Sequence, residues 1–118
     1  MDSRTEQLRE RTKQFALRII RLFQSLPPSS EAQVIGNQLL RCSTQVGAKY
    51  RVACHSRSRA TFVARIGVIA EEADESLFWI ELLSDLGIVE KDRIDLLLQE
   101  ARELAAIFRA TRKTAKRR

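Results

Sequence analysis

Apolar residues recur along this chain at steps that alternate between three and four, in four runs separated by polar or turn-forming residues. The first run is Leu8, Phe15, Ile19, Leu22 and Leu26, with Thr12 filling the missing step. This is one face of a helix packed against other helices. It predicts a helix from about Ser3 to Leu26, with Ser3 and Glu6 as a capping box. Pro27 and Pro28 end it, because the residue before a proline is pushed out of helical conformation. A second run, Ala32, Ile35, Leu39, Cys42, Val46, Tyr50 and Ala53, predicts a helix from about Glu31 to Cys54. Ser30 is its predicted N-cap, with Gln33 completing a capping box.

His55 to Arg59 reads as a polar connector, and Ser58 as the cap of a third helix reaching about Leu86. Phe62, Ile66, Ile69, Ala73, Ile80 and Leu83 form its first stripe. Val63, Ala70, Leu77, Trp79, Leu82 and Leu86 widen it, so this helix must touch more than one neighbour. Gly87 suits the position just past a helix end. A fourth helix follows from near Asp92 to about Ala115, carried by Ile94, Leu97, Ala101, Leu104, Ala105 and Phe108. The apolar stripe is lost from Arg112 on, and residues 112–118 are expected to fray as a basic tail. Four amphipathic helices with short connections predict an all-α, antiparallel up-down-up-down four-helix bundle, one domain over residues 1–118.

Within the second helix, the stretch Ile35–Arg51 combines two features. Gly36 and Gly47 each cost about 1 kcal/mol against alanine in a helix interior, which close contact with a neighbouring helix would offset. Lys49, Arg51, Arg57 and Arg59 then open a basic region. The widened apolar faces of helices 2 and 3 predict self-association.

Charge is segregated. The net charge of +6 divides into +8 over residues 1–70, −8 over residues 71–103 and +6 over residues 104–118. Helix 3 and early helix 4 should therefore attract helix 1, helix 2 or the tail, setting orientation more than stability. In an up-down bundle the start of helix 1, the helix 2–3 junction and the end of helix 4 lie at one end. The residues expected to contact phosphates there are Lys49, Arg51, Arg57, Arg59, Arg65, Arg112, Lys113, Lys116, Arg117 and Arg118. Such an end would bind RNA or DNA through backbone phosphates.

Other chemistry finds little support. Cys54 and His55 are adjacent, so on a helix they point about 100° apart and form no nucleophile–base pair. Carboxylate-bridged metal bundles take two Glu-x-x-His motifs, and His55 is the single histidine. Glu71, Glu72 and Glu75 are read instead as part of a solvated or interface face. Trp79 and Phe78 are read as packing residues. No glycine-rich phosphate loop is present. Neither a catalytic residue, a cofactor site nor a metal site is expected, and the chain is read as non-enzymatic. Cys42 and Cys54 lie about 18 Å apart along one helix at 1.5 Å per residue, too far to bridge. Reduced thiols, no signal-peptide core and no long apolar run fit a cytoplasmic protein that does not enter a membrane.

The runs GNQLLRCSTQVGAKYR (36–51) and SRSRATFVARIGVIAEEADESLFWIELL (56–83) resemble the bacterial four-helix-bundle family of ribosomal RNA intervening-sequence proteins. Relatives in that family include the accessory variability protein of diversity-generating retroelements. The resemblance is carried by Leu39–Arg41, Val46–Ala48, Phe62, Glu72 to Glu75, and Trp79, Glu81 and Leu82, and extends from about Phe15 to Phe108. It implies a protomer that assembles into a homopentameric ring. In the retroelement branch it further implies a basic ring that binds nucleic acid and partners a reverse transcriptase. The other course it leaves open is a protein-interaction scaffold that does not itself touch nucleic acid.

Overall fold

In the computed structural model, residues 2–118 are described and form four helices: α1 (Ser3–Ser25), α2 (Ser30–Ala53), α3 (Arg59–Asp85) and α4 (Lys91–Arg117). They pack side by side into a bundle with principal extents of 46 × 22 × 19 Å.

Local chemistry sets the boundaries. At α1 the cap is Asp2, one residue earlier than expected from Ser3 and Glu6: its carboxylate accepts from the Thr5 amide at 2.8 Å. Hydrogen bonds from the Thr5 backbone and side chain hold the Asp2 carboxyl below its usual pKa. At α2 the cap is Ser29 rather than Ser30, and the Gln33 side chain reaches back to the Pro27 carbonyl at 3.1 Å instead of closing a box. Ser58 caps α3 as expected, accepting from the Thr61 amide at 3.1 Å. The end of α3 is a Schellman turn. Gly87 has φ +67°, its amide donates to Ser84, and the Ile88 amide donates to Leu83.

α4 does not fray at Arg112 but continues to Arg117. The apolar stripe extends one step further than the charges suggest: Thr111 is half-buried and Ala115 buried after Phe108. Small residues at these positions read poorly as a stripe, yet they pack as one.

The four stripes meet in a single core. Phe15, Ile19 and Leu22 of α1, Leu39 and Val46 of α2, Ile66, Ile69, Ile80 and Leu83 of α3, and Ile94, Leu97, Leu104 and Phe108 of α4 are almost wholly buried. Each such side chain contributes about 1.5–3 kcal/mol on removal from water. Tyr50 packs its ring edgewise on Phe108, with centroids 5.4 Å apart. The buried hydroxyls of Thr12 and Ser76 are satisfied: Thr12 donates to the Arg9 carbonyl at 3.0 Å, and Ser76 donates to the Glu72 carbonyl at 2.9 Å. α3 makes close contact with both α2 and α4, and α1 with α2. The wide apolar face of α3 is not used up, however: Phe78 and Leu86 stay about half exposed, and Leu86 is the C-cap rather than a core residue.

Both glycines of α2 mark close approaches. A Cβ on Gly47 would stand 3.4 Å from the Thr12 backbone, so α1 passes directly over it. A Cβ on Gly36 would stand 2.6 Å from Leu26 and 3.0 Å from Phe23. The two cysteines are free; Cys42 is buried and Cys54 half-buried.

Two predictions follow from this packing. Gly87→Ala should destabilise the protein by about 1–2 kcal/mol, because alanine resists the left-handed conformation. Gly47→Ala should instead raise stability by up to about 1 kcal/mol, since a methyl fits at van der Waals distance and alanine favours the helix. Urea midpoints of the two variants should therefore move in opposite directions, and a shift of both the same way would contradict the geometry described.

The second concerns the single tyrosine. Burial, then the neighbouring Cys54, push the Tyr50 phenol up to about 12. A raised pKa in the folded state means its stabilising contribution is complete below pH 10 and is lost as pH rises from 10 towards 12. Phenolate absorbance should thus appear near pH 12 in the folded protein and near pH 10 in urea. Coincident titrations would show that Tyr50 is solvated.

Candidate nucleic-acid interface

Cations are plentiful on this bundle, so the first question is which of them are already neutralised. Arg11 of α1 forms a bidentate pair with Glu100 of α4 at 2.9 and 2.6 Å and reaches Glu103 at 2.9 Å. Both partners raise the Arg11 pKa, and Arg11 in turn holds the Glu103 carboxyl below its usual range. Arg41 of α2 pairs with Glu75 of α3 at 2.7 Å. Lys49 of α2 pairs with Glu72 of α3 at 3.1 Å. Arg109 of α4 pairs with Asp74 of α3 at 2.8 Å. The attraction expected between oppositely charged segments thus acts between helices of one chain.

This alters the reading of the acidic run EEADE. Glu72 is not part of a solvated face: it is only 8% exposed, on the core side of α3 between Ile69 and Ser76. A buried carboxylate stranded without a cation is strongly unfavourable, and Lys49 and Arg41 supply the charge. Lys49 therefore stands apart from the other nine predicted phosphate-contacting residues. The sequence carried a signal for this, since Glu72 falls one helical step, three residues, after Ile69 of the buried stripe.

Arg51, Arg57, Arg59, Arg112, Lys113, Lys116, Arg117 and Arg118 are exposed and, among the described residues, form no ion pair. Arg65 is exposed and donates to the Ser56 hydroxyl at 3.1 Å, bracing the α2–α3 connection.

The grooves show how these residues are brought together. Arg4 and Arg11 of α1 line one cleft, of about 360 Å³, with Tyr50 of α2 and Ile107 and Thr111 of α4. Arg9 and Lys13 of α1 line another with Arg51 of α2. Lys49 and Arg65 flank a third, between α2 and α3, with Ala48, Val52 and Val68 on its walls. Phe62 at the start of α3 shares a fourth with Thr111, Thr114, Ala115 and Arg118 of α4. Arg112 lies across Gly67 of α3, where a Cβ would come within 3.1 Å of its Nε. The start of α1, the end of α2, the start of α3 and the end of α4 are therefore neighbours, and among the described residues Arg51, Arg57, Arg59 and the cations from Arg112 on form no ion pair there.

The other end is mixed rather than uniformly acidic. Glu81, Asp85, Glu90, Asp92 and Asp95 are exposed there, but Arg18, Arg21 and Arg93 line a groove with Leu96 and Leu97. Phe78 and Trp79 sit in edge contact, centroids 5.0 Å apart, and the Trp79 indole donates to Glu75 at 3.3 Å. The grooves between helices, the one beside Phe62 among them, escaped the sequence reading, because the small residues of α4 that open it leave no periodic signature. Among the described residues no cluster of His, Cys, Asp and Glu could hold a metal ion, and no helix is long and apolar enough to cross a membrane.

With this geometry in place, known proteins supply an independent comparison. No curated protein matches the chain. A solved structure does: a protein with unknown function from the S23 ribosomal protein family of Bacteroides thetaiotaomicron VPI-5482. It superposes with a TM-score of 0.82 at 27% identity, over 89% of this chain and 97% of that one. The family model described as 23S rRNA-intervening sequence protein matches residues 4–110. A match spanning all four helices, on a chain whose motifs and bundle agree with it, makes this protein a member of the 23S rRNA-intervening sequence protein family.

Proposed function

We propose that this protein is a non-enzymatic, self-associating factor that binds RNA or DNA through backbone phosphates at its basic end. The observation that carries it is the pairing pattern. Acidic residues of α3 and α4 neutralise Arg11, Arg41, Lys49 and Arg109, whereas Arg57, Arg59 and the cations from Arg112 on have no such partner among the described residues. Such a surface gains by taking up phosphates and releasing their counterions.

The helices run up-down-up-down and antiparallel in this reading. It is supported by Arg41 meeting Glu75 while Lys49 meets Glu72, and by Arg11 meeting Glu100 while Ser25 meets Arg93. Exposed apolar side chains support assembly: Val52 and Val68 on the α2–α3 groove, Phe78 and Leu86 on α3, and Leu96 on α4. The ring of five subunits implied by the family resemblance is the assembly we propose. A reverse transcriptase, acting in the cytoplasm on a retroelement template, is the sharpest version of a partner for such a ring.

Native mass spectrometry should show a closed oligomer of five subunits; a monomer at tens of micromolar would rule out the ring. For nucleic acid, log affinity should fall linearly with log salt, at about 0.7–0.9 per phosphate neutralised. Replacing Arg51, Arg57 and Arg59 with glutamine should lower both the affinity and this slope and leave the fold intact, since these side chains are exposed. Neutralising Glu90, Asp92 and Asp95 is the control and should leave the slope unchanged. If neither triple alters binding, or the unmodified protein retains no nucleic acid at low salt, a protein-interaction scaffold replaces this function.

A further inference from the structure

We propose that the groove between the start of α3 and the end of α4 takes one unpaired nucleobase of a bound single strand, stacked on Phe62. This rests on the nucleic-acid binding proposed above and adds a substrate class to it.

Phe62 lies in the first turn of α3, four residues after the cap Ser58, and is half-buried against the core. The facing residues of α4 are small: Ala110, Thr111, Thr114 and Ala115. A leucine at any of these positions would reach Phe62 and close the space. Alanine and threonine leave a groove of about 450 Å³, open to solvent, with Phe62 and Ile107 among its apolar walls. The Thr111 hydroxyl donates to the Ile107 carbonyl at 2.8 Å, so it turns only an acceptor outward.

Arg118 is the charged residue that lines this slot, and the exposed Arg59 and Arg57 lie three and five residues before Phe62 on the chain. An apolar slot inside a cationic rim fits a group that is flat and apolar on its faces and anionic at its flanks. A nucleotide in a flexible strand has that form, and base–aromatic stacking with basic residues tracking the phosphates is how single strands are held without sequence reading. A duplex buries its base faces and cannot supply one.

The other aromatic side chains are worse placed. Tyr50 is 6% exposed and has its ring packed on Phe108. Phe78 is exposed, but its neighbours along the helix include Glu75 and Glu81, which would repel phosphate. Phe62 joins an open apolar surface to Arg118, which forms no ion pair among the described residues.

The test compares two strands with equal phosphates: a short single-stranded RNA and an abasic strand of the same length, each read by fluorescence anisotropy against the assembled protein. The unmodified protein should bind the base-bearing strand about tenfold more tightly. Phe62→Leu should remove this difference while leaving the salt slope unchanged, and Phe62→Trp should preserve it. Ala110→Leu, at an exposed position on α4, fills the slot from the opposite wall and should also remove the difference without touching Phe62. Equal binding of both strands by the unmodified protein overturns the base slot and leaves phosphate binding standing. Discrimination that survives both Phe62→Leu and Ala110→Leu overturns it as well. Failure to bind either strand removes the slot and the proposed function together.

Discussion

The structure depends on a constraint imposed by α3: it is apolar around too much of its circumference to lie at the edge of anything. Ile66, Ile69, Ile80 and Leu83 face the core, and Val63, Leu77, Trp79 and Leu82 are half-buried beside them. A helix of this kind must be flanked on both sides, and α2 and α4 do so. α1 then closes the bundle against α2, its backbone at Thr12 passing over Gly47. The seam between α1 and α4 is held differently, by long polar side chains: Arg11 to Glu100 and Glu103, and Arg93 to the Ser25 hydroxyl.

Charge is arranged around the same constraint. Because α3 is central, its carboxylates reach cations on both flanking helices: Glu72 and Glu75 towards α2, and Asp74 towards α4. Exposed pairs of this kind add little stability, but they fix which cations stay bound within the protein. What is left over at the basic end is a remainder set by the packing of α3, not by composition alone. A net charge of +6 could have been spread evenly; here it is concentrated by internal pairing.

Much of this was legible from the sequence, because large aliphatic residues at steps of three and four leave few alternatives. Every residue of the α2 stripe, from Ala32 to Ala53, is buried as the periodicity requires. The double proline and Gly87 mark the connections correctly. What escaped the reading involves residues whose type conflicts with their position. Glu72 reads as surface, but sits on the buried face because two cations on another helix accompany it. Thr111 and Ala115 read as lying past the last large residue of the stripe, yet they are half-buried and buried and α4 persists to Arg117. Caps shifted by one residue wherever two adjacent side chains could both serve, as with Asp2 beside Ser3 and Ser29 beside Ser30. The case of Glu72 turns on partners, Arg41 and Lys49, that no local window contains.

Gly67 shows what such distant partners mean for reading mutations. It has no side chain, carries no charge and is half-buried on α3, yet a Cβ there would stand 3.1 Å from the Arg112 Nε. Alanine would ask the flexible arginine to give by a few tenths of an ångström, and a larger residue would displace its guanidinium further. A substitution scan would then score Gly67 among the residues governing the basic surface, although it has no atom with which to hold a ligand. In this protein the map of what matters for the surface is wider than the map of what touches it.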